Sequence, residues 1–189
     1  MDRKAFLEKS VKWGACSCGL MMFNQTGLSA AVGGNTDELE KIKSEKSFIL
    51  NWLSDLRESM DRHLDRETVE KLFSDCGAAC FKRHKFKSDM PIKAEGNLDK
   101  LLAAYKENFE AWIDGKEFHI RFGEVNKYCY CPVGRNMPNV PNDIHCECTK
   151  GTHKAIFETT FKKPFKVDML ESVKRGGKTC HMIVHLDNL

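Results

Sequence analysis

From residue 36 onward, the apolar positions of this chain keep helical spacing for three stretches and then switch to alternation. Phe48, Leu50, Trp52, Leu53, Leu56 and Met60 recur at intervals of one to four residues, which predicts a helix. The Gly33-Gly34-Asn35 breaker precedes it. Thr36 stands as its N-cap, with Asp37 and Glu38 in the first turn. Asp65 reads as the next N-cap, followed by a helix whose apolar face is Val69, Leu72 and Phe73. Asn97 caps a third, marked by Leu98, Leu101, Leu102, Tyr105, Phe109, Trp112 and Ile113 and closed by Asp114-Gly115. Then the period becomes two. Phe118, Ile120 and Phe122 alternate with His119 and Arg121, a half-buried strand with His119 on its outer, surface side. A further strand from about Val125 carries Cys129 and Cys131. A helix over about 149–161 turns Ile156, Phe157, Thr160 and Phe161 inward. The end of the chain reads as two strands, 165–173 and 180–186, joined at Gly176-Gly177. The pattern predicts an α+β domain: a small mixed or antiparallel sheet with helices packed on one face, after an N-terminal helical region.

Length and charge narrow the class. The chain has 189 residues, 41% hydrophobic and 30% charged, enough for one domain with a real core. A net charge of +3, with both signs interleaved, gives no nucleic-acid footprint. No apolar run is long enough for a transmembrane segment. Residues 1–33 read as an export signal or an attached N-terminal helix: a basic start, a mildly apolar stretch from Trp13 to Phe23, then small residues at Leu28-Ser29-Ala30-Ala31. The Arg3-Lys4-Ala5-Phe6-Leu7 string resembles a twin-arginine export signal, departing from it at Lys4 and Glu8. Extracytoplasmic and cytoplasmic locations both stay open. Residues 36–189 form the single cysteine-rich domain.

Nine cysteines change the picture from fold to chemistry. They come in close pairs: 16 and 18, 76 and 80, 129 and 131, 146 and 148, with Cys180 alone. Close pairs favour ligand or redox work over a dispersed disulfide framework. On extended backbone, Cys129 and Cys131 project to one side, and so do Cys146 and Cys148. The turn-rich loop between, with Pro132, Gly134, Asn136, Pro138, Asn139, Pro141 and Asn142, can fold the pairs together. Four thiolates so placed suit tetrahedral zinc or an iron–sulfur cluster; disulfides or buried free thiols are the alternatives. Cys76, Cys80 and His84, spaced four apart, lie along one helical stripe unless Gly77 ends the helix. They offer further ligands, or a thiol beside an imidazole. The hairpin register puts Glu171 on the apolar side, diagonal to Cys180, as a ligand or catalytic acid, unless a bulge at Leu170 turns it outward. His63, His119, His145, His181 and His185 have no partner the sequence can place.

The run Cys146-x-Cys148-x2-Gly151, Phe157-Glu158, Lys163-Pro164, Leu170-Glu171-Ser172-Val173, Gly176-Gly177 and Cys180 resembles two related groups. These are 4-vinyl reductase-type small-molecule-binding domains and L-2-amino-thiazoline-4-carboxylic acid hydrolase-like proteins. Asp65-Arg66-Glu67-Thr68 leading to Cys76-Gly77-x2-Cys80 is similar to the cysteine-rich helix of the latter. The resemblance implies a zinc site of one glutamate and two cysteines beside a pocket for small apolar or aromatic ligands. Glu171 and Cys180 match its outer members, and Lys174 stands where the middle cysteine would be.

Three functions follow. The first is a metal-centred small-molecule-binding protein, with zinc or an iron–sulfur cluster on Cys129, Cys131, Cys146 and Cys148. Cys180, Glu171, Cys76 or Cys80 would add to the set. Its pocket would lie between the sheet and the helices carrying Phe109, Trp112, Phe157 and Phe161. The second is a cysteine-dependent hydrolase of a cyclic C–N bond, with Cys148 or Cys76 as nucleophile, His153 or His84 as base and Glu171 as acid. The third is a disulfide-stapled exported binding protein.

Overall fold

The structure, a computed structural model, describes residues 33–141 and 143–189. The expected export signal, Cys16, Cys18 and Asn142 lie outside the described residues. By internal contacts the chain divides into Met1–Ile42 and Lys43–Leu189. The first unit is described only from Gly33, where a helix opens. That helix, α1, runs Gly33–His63, so Gly33 and Thr36 lie within it rather than breaking and capping it. The helices that follow are α2 (Arg66–Arg83), α3 (Lys85–Ala94) and α4 (Leu98–Lys106). The strands β1 (Glu110–Asp114) and β2 (Glu117–Arg121) come next. A short α5 (Pro132–Arg135) and a long α6 (His145–Phe161) lead to β3 (Val167–Glu171) and β4 (His181–His185).

The expected caps hold at two places. Asp65 accepts the Thr68 N–H at 2.8 Å, and Asn97 accepts that of Lys100 at 3.0 Å. The third helix is shorter than its pattern predicts. It stops at Lys106, and the Ala-Trp-Ile stretch becomes β1, because strand pairing places Ala111 and Ile113 opposite Ile120 and Phe118. Asp114-Gly115 therefore turns a hairpin instead of closing a helix.

The sheet has the order β1-β2-β4-β3 and is antiparallel throughout. One face carries Ala111, Phe118, Ile120, Val167, Met182 and Val184 into the core. Phe81, Met90, Leu101, Tyr105, Ile156 and Phe157 close over it from the helices. The opposite face is not the open surface expected at His119. Trp112 stacks on that ring at 4.8 Å, His181 shares a hydrogen bond with it at 3.0 Å, and His119 is buried.

The last two strands pair antiparallel as expected, but the two-residue turn at Gly176-Gly177 does not form. The β3 strand ends at Glu171, with a bulge between Met169 and Glu171 that leaves Leu170 exposed. Ser172 then caps a single 3₁₀ turn, Val173–Arg175, and Gly176 at φ 91° ends it. The bulge turns Glu171 out of the core. Its Oε1 accepts the N–H groups of Lys178 at 2.6 Å and Thr179 at 3.4 Å.

Two glycines set the helix geometry beneath the cysteines. Gly77 sits inside α2, not at its end, where α2 lies directly on α6. A Cβ on Gly77 would overlap the Cys148 carbonyl and stand 2.6 Å from the Thr152 nitrogen, and one on Gly151 would stand 2.6 Å from Ser74 Cα. Backbones this close require glycine, and Thr152 Oγ1 donates to the Gly77 carbonyl across the gap at 3.1 Å.

Candidate functional site

Residues 122–131 form no strand, so the two Cys-x-Cys pairs do not face each other as extended ladders. Pro132 starts α5 immediately after Cys131, which fixes Cys131 as its N-cap residue. Cys146 and Cys148 lie inside the first turn of α6, where residues two apart point about 200° away from each other. Cys146 turns into the core and shares a hydrogen bond with Ser172 Oγ at 3.1 Å. Cys148 turns the other way, with Cys131 and the α2 thiols Cys80 and Cys76 as its neighbours. The described cysteines, Cys76, Cys80, Cys129, Cys131, Cys146, Cys148 and Cys180, are all free thiols.

The thiols still form one neighbourhood. Cys129 and Cys180 pack against Val173, with Cys131 beside them. Burial pushes the Cys129 thiol up to about 11 and raises Cys146. Burial, then the nearby Cys131, Cys80 and Cys76, push Cys148 up to about 12. Cys131 goes the other way. Burial alone would raise it, but the His145 imidazole and the N–H groups of Gly134 and Val133 bring its thiol down to about 7.

His145 is one of the five histidines that sequence pattern left without a partner. It opens α6 and is 7% exposed. Its backbone N–H is held by Asp143 Oδ1 at 2.8 Å. Asp143 is itself fully buried and pairs with Lys174 at 3.2 Å and with Arg57 of α1 at 3.5 Å. Lys174 also donates to the carbonyls of Met137 and Pro138, at 2.8 and 2.5 Å. The loop leading into His145 is therefore clamped by a buried ion cluster. The His145 side chain ends differently: Nε2 is buried and makes no hydrogen bond. Gly134 leaves the room for this. A Cβ there would stand 2.8 Å from Cys129 Sγ and His145 Cδ2 and 2.9 Å from Nε2.

The glutamate–cysteine–cysteine zinc set implied by the resemblance does not fit. Its middle position is the Lys174 ammonium, with three acceptors of its own, and the turn N–H groups of Lys178 and Thr179 hold Glu171 by Oε1 outside the core. Nor do Cys76, Cys80 and His84 make a site: Cys76 is exposed, and His84 is the exposed C-cap of α2. Lys87 donates to Cys80 at 3.3 Å instead. His153 is buried against Tyr105, sharing a hydrogen bond at 3.0 Å. Burial holds its imidazole down at about 3, so it stays neutral. A thiol near 12 and an imidazole near 3 make a poor nucleophile–base couple for Cys148 and His153. Among the described residues, no three His, Cys, Asp or Glu side chains already stand in metal-holding geometry.

Beside the thiols lies a cleft of about 440 Å³, lined by Lys106, Asn108, Phe109, Glu110, Phe122, Gly123 and Tyr130. Its aromatic wall is continuous. Phe109 meets Phe122 at 4.9 Å and Tyr130 at 6.0 Å, and both phenylalanines pack on His153. Phe109 was legible as a pocket residue. Trp112 instead lies on the far face of the sheet, and Phe157 and Phe161 are taken up with Phe165. Among the described residues, no helix is long and apolar enough to cross a membrane.

A family model described as a family of unknown function (DUF6144) matches residues 24–189. No curated protein matches the chain. Similar solved structures include the phenol-responsive sensory domain of the transcription activator PoxR, crystallised with phenol. It is 13% identical over 72% of this chain and 73% of that one, with a TM-score of 0.44. Another is a vinyl-4-reductase family protein from Methanocaldococcus jannaschii, 15% identical over 84% of this chain and 98% of that one, with a TM-score of 0.37.

Proposed function

The chain belongs to the DUF6144 family, and we propose that it is a small-molecule-binding domain whose aromatic cleft is coupled to a thiol-held metal of the zinc class. The observation that carries this reading is the placement of Tyr130. Its ring forms part of the cleft wall, and its backbone neighbours are Cys129 and Cys131. A ligand seated on that ring and a metal held by those thiols would share one loop. The cleft has the size of a small-molecule site, and Phe109, Phe122 and Tyr130 suit a compact planar or aromatic ligand. Soft thiolates suit zinc, and a cluster would reveal itself by colour and acid-labile sulfide.

The test is a thermal-shift and fluorescence screen of small phenols, benzoates and heteroaromatics against the wild type, Tyr130→Ala and Phe109→Ala. Binding that weakens about tenfold or more in both variants supports the reading. A panel that never shifts the wild type, or that binds the variants equally well, would sink it.

One observation favours a second reading. The His145 imidazole lies against the Cys131 thiol, so a cysteine hydrolase would use this pair rather than Cys148 or Cys76. Limiting alkylation of metal-free protein checks it: Cys131 should label first and His145→Ala should slow it. Equal labelling of every thiol argues against it.

A further inference from the structure

We propose that Cys129, Cys131, Cys180 and His145 form one Cys₃His site for a single thiophilic divalent cation, with His145 Nε2 as the nitrogen ligand. This rests on the metal-centred reading above and replaces its four-cysteine ligand set.

Four observations lead there. First, His145 Nε2 is a buried polar atom without a partner. Such an atom costs about 1–3 kcal/mol unless something satisfies it. Second, that atom and Cys129 Sγ converge on the space beside Gly134, where any side chain would drive into both. Third, Cys180 and Cys131 pack into the same small cluster as Cys129, around Val173. Fourth, the thiols left out have other positions. Cys146 is hydrogen-bonded to Ser172, and Cys148 projects about 200° round α6 from it, between Cys131 and the α2 thiols Cys80 and Cys76.

The backbone of His145 is already fixed. Its N–H is held by Asp143, and Asp143 is held by Lys174 and Arg57. Coordination therefore needs movement of thiol side chains and not of the helix. Because the donors do not yet stand in metal-holding geometry, they would close inward to Zn–S bonds of about 2.3 Å and Zn–N bonds of about 2.0–2.1 Å. Binding displaces the thiol protons to solvent and leaves the imidazole neutral, with Nε2 as donor.

The test uses the full chain purified without oxygen, stripped by chelation and titrated with Co²⁺. X-ray absorption is then measured on the Zn²⁺ form. The proposal expects one ion per chain, tetrahedral cobalt bands with sulfur charge transfer, and a shell of three sulfurs and one imidazole. His145→Ala should weaken binding by about a hundredfold or more, beyond what loss of an outer-shell partner costs. Gly134→Ala should weaken it too, while Cys148→Ser leaves it unchanged. The absorption shell needs no variant, so a misfolded His145→Ala does not remove the test. A shell of four sulfurs without imidazole overturns the His145 assignment and leaves the metal-centred reading standing. Failure of the wild type to bind Co²⁺ or Zn²⁺ overturns both.

Discussion

Lowering the pH from 7 to 5 should destabilise this protein through His153 by a predictable amount. The imidazole is 3% exposed, and its ring is enclosed by Tyr105, Phe109 and Phe122. Burial, and then the positive charge of Lys87, hold it at about 3, below its ordinary 6.5. The folded state therefore keeps it neutral, while the unfolded chain protonates it below about pH 6.5. Stability from this group is complete above about 6.5 and is lost as the pH falls toward 3. Integrating between pH 7 and 5, with the folded ring neutral throughout, gives a loss of about 2 kcal/mol. For a chain of this size that is a fall in Tm of about 4–8 °C. The assay is urea unfolding by circular dichroism, at pH 7, 6 and 5, on metal-free wild type and His153→Asn. The asparagine keeps an acceptor for the Tyr105 hydroxyl but cannot be charged. The wild type should lose about 2 kcal/mol more than the variant across this window. Parallel curves would refute the reasoning, as would ring NMR shifts showing His153 protonated in the folded protein at pH 5.

Other perturbations act on separate elements. Gly77→Ala and Gly151→Ala should each cost at least 1–3 kcal/mol, roughly the range for overpacking, because their Cβ atoms meet helix backbone; thermal denaturation reads this. Lys174→Met should cost about 3–5 kcal/mol by urea unfolding, since it removes the nearer cation from buried Asp143, leaving it to Arg57, and strands two loop carbonyls. Adding Asp143→Asn should recover part of that loss, whereas fully additive effects would contradict a shared ion cluster. Chelation should lower the Tm of the wild type more than that of His145→Ala, and equal shifts would count against His145 as a ligand.

The fold was readable where local chemistry and period agreed. Asp65 and Asn97 cap as their side chains predict, the α6 helix starts only four residues before its expected start, and β2 forms where its pattern places it, although its outer face is covered at His119. It was misread where tertiary pairing decides. Phe109 to Ile113 continue a helical stripe on paper, yet only a strand puts Ala111 against Ile120. Lys85–Ala94 gave no helix signal because Pro91 lies inside it. At residues 165–173 the pattern left Glu171 either inward or turned out by a bulge at Leu170, and the strand pairing takes the bulge. The site was legible as chemistry but not as geometry. The paired cysteines pointed to a loop and a helix start, and the structure brings Cys129, Cys131 and Cys180 close together. Cys146 and Cys148 diverge because they sit on a helix, where a two-residue spacing no longer shares a face. His145 carried no signal beyond standing next to Cys146. Its position is fixed through Asp143, Lys174 and Arg57, which are separated by up to 117 residues in the chain.

The most direct measurement is metal and acid-labile sulfide, with an absorption spectrum, on the chain purified anaerobically. A thiol-and-imidazole centre predicts about one zinc-class ion per chain, no sulfide, no visible band, and a Tm that falls on chelation. Metal-free protein whose Tm ignores both chelator and added zinc would contradict it.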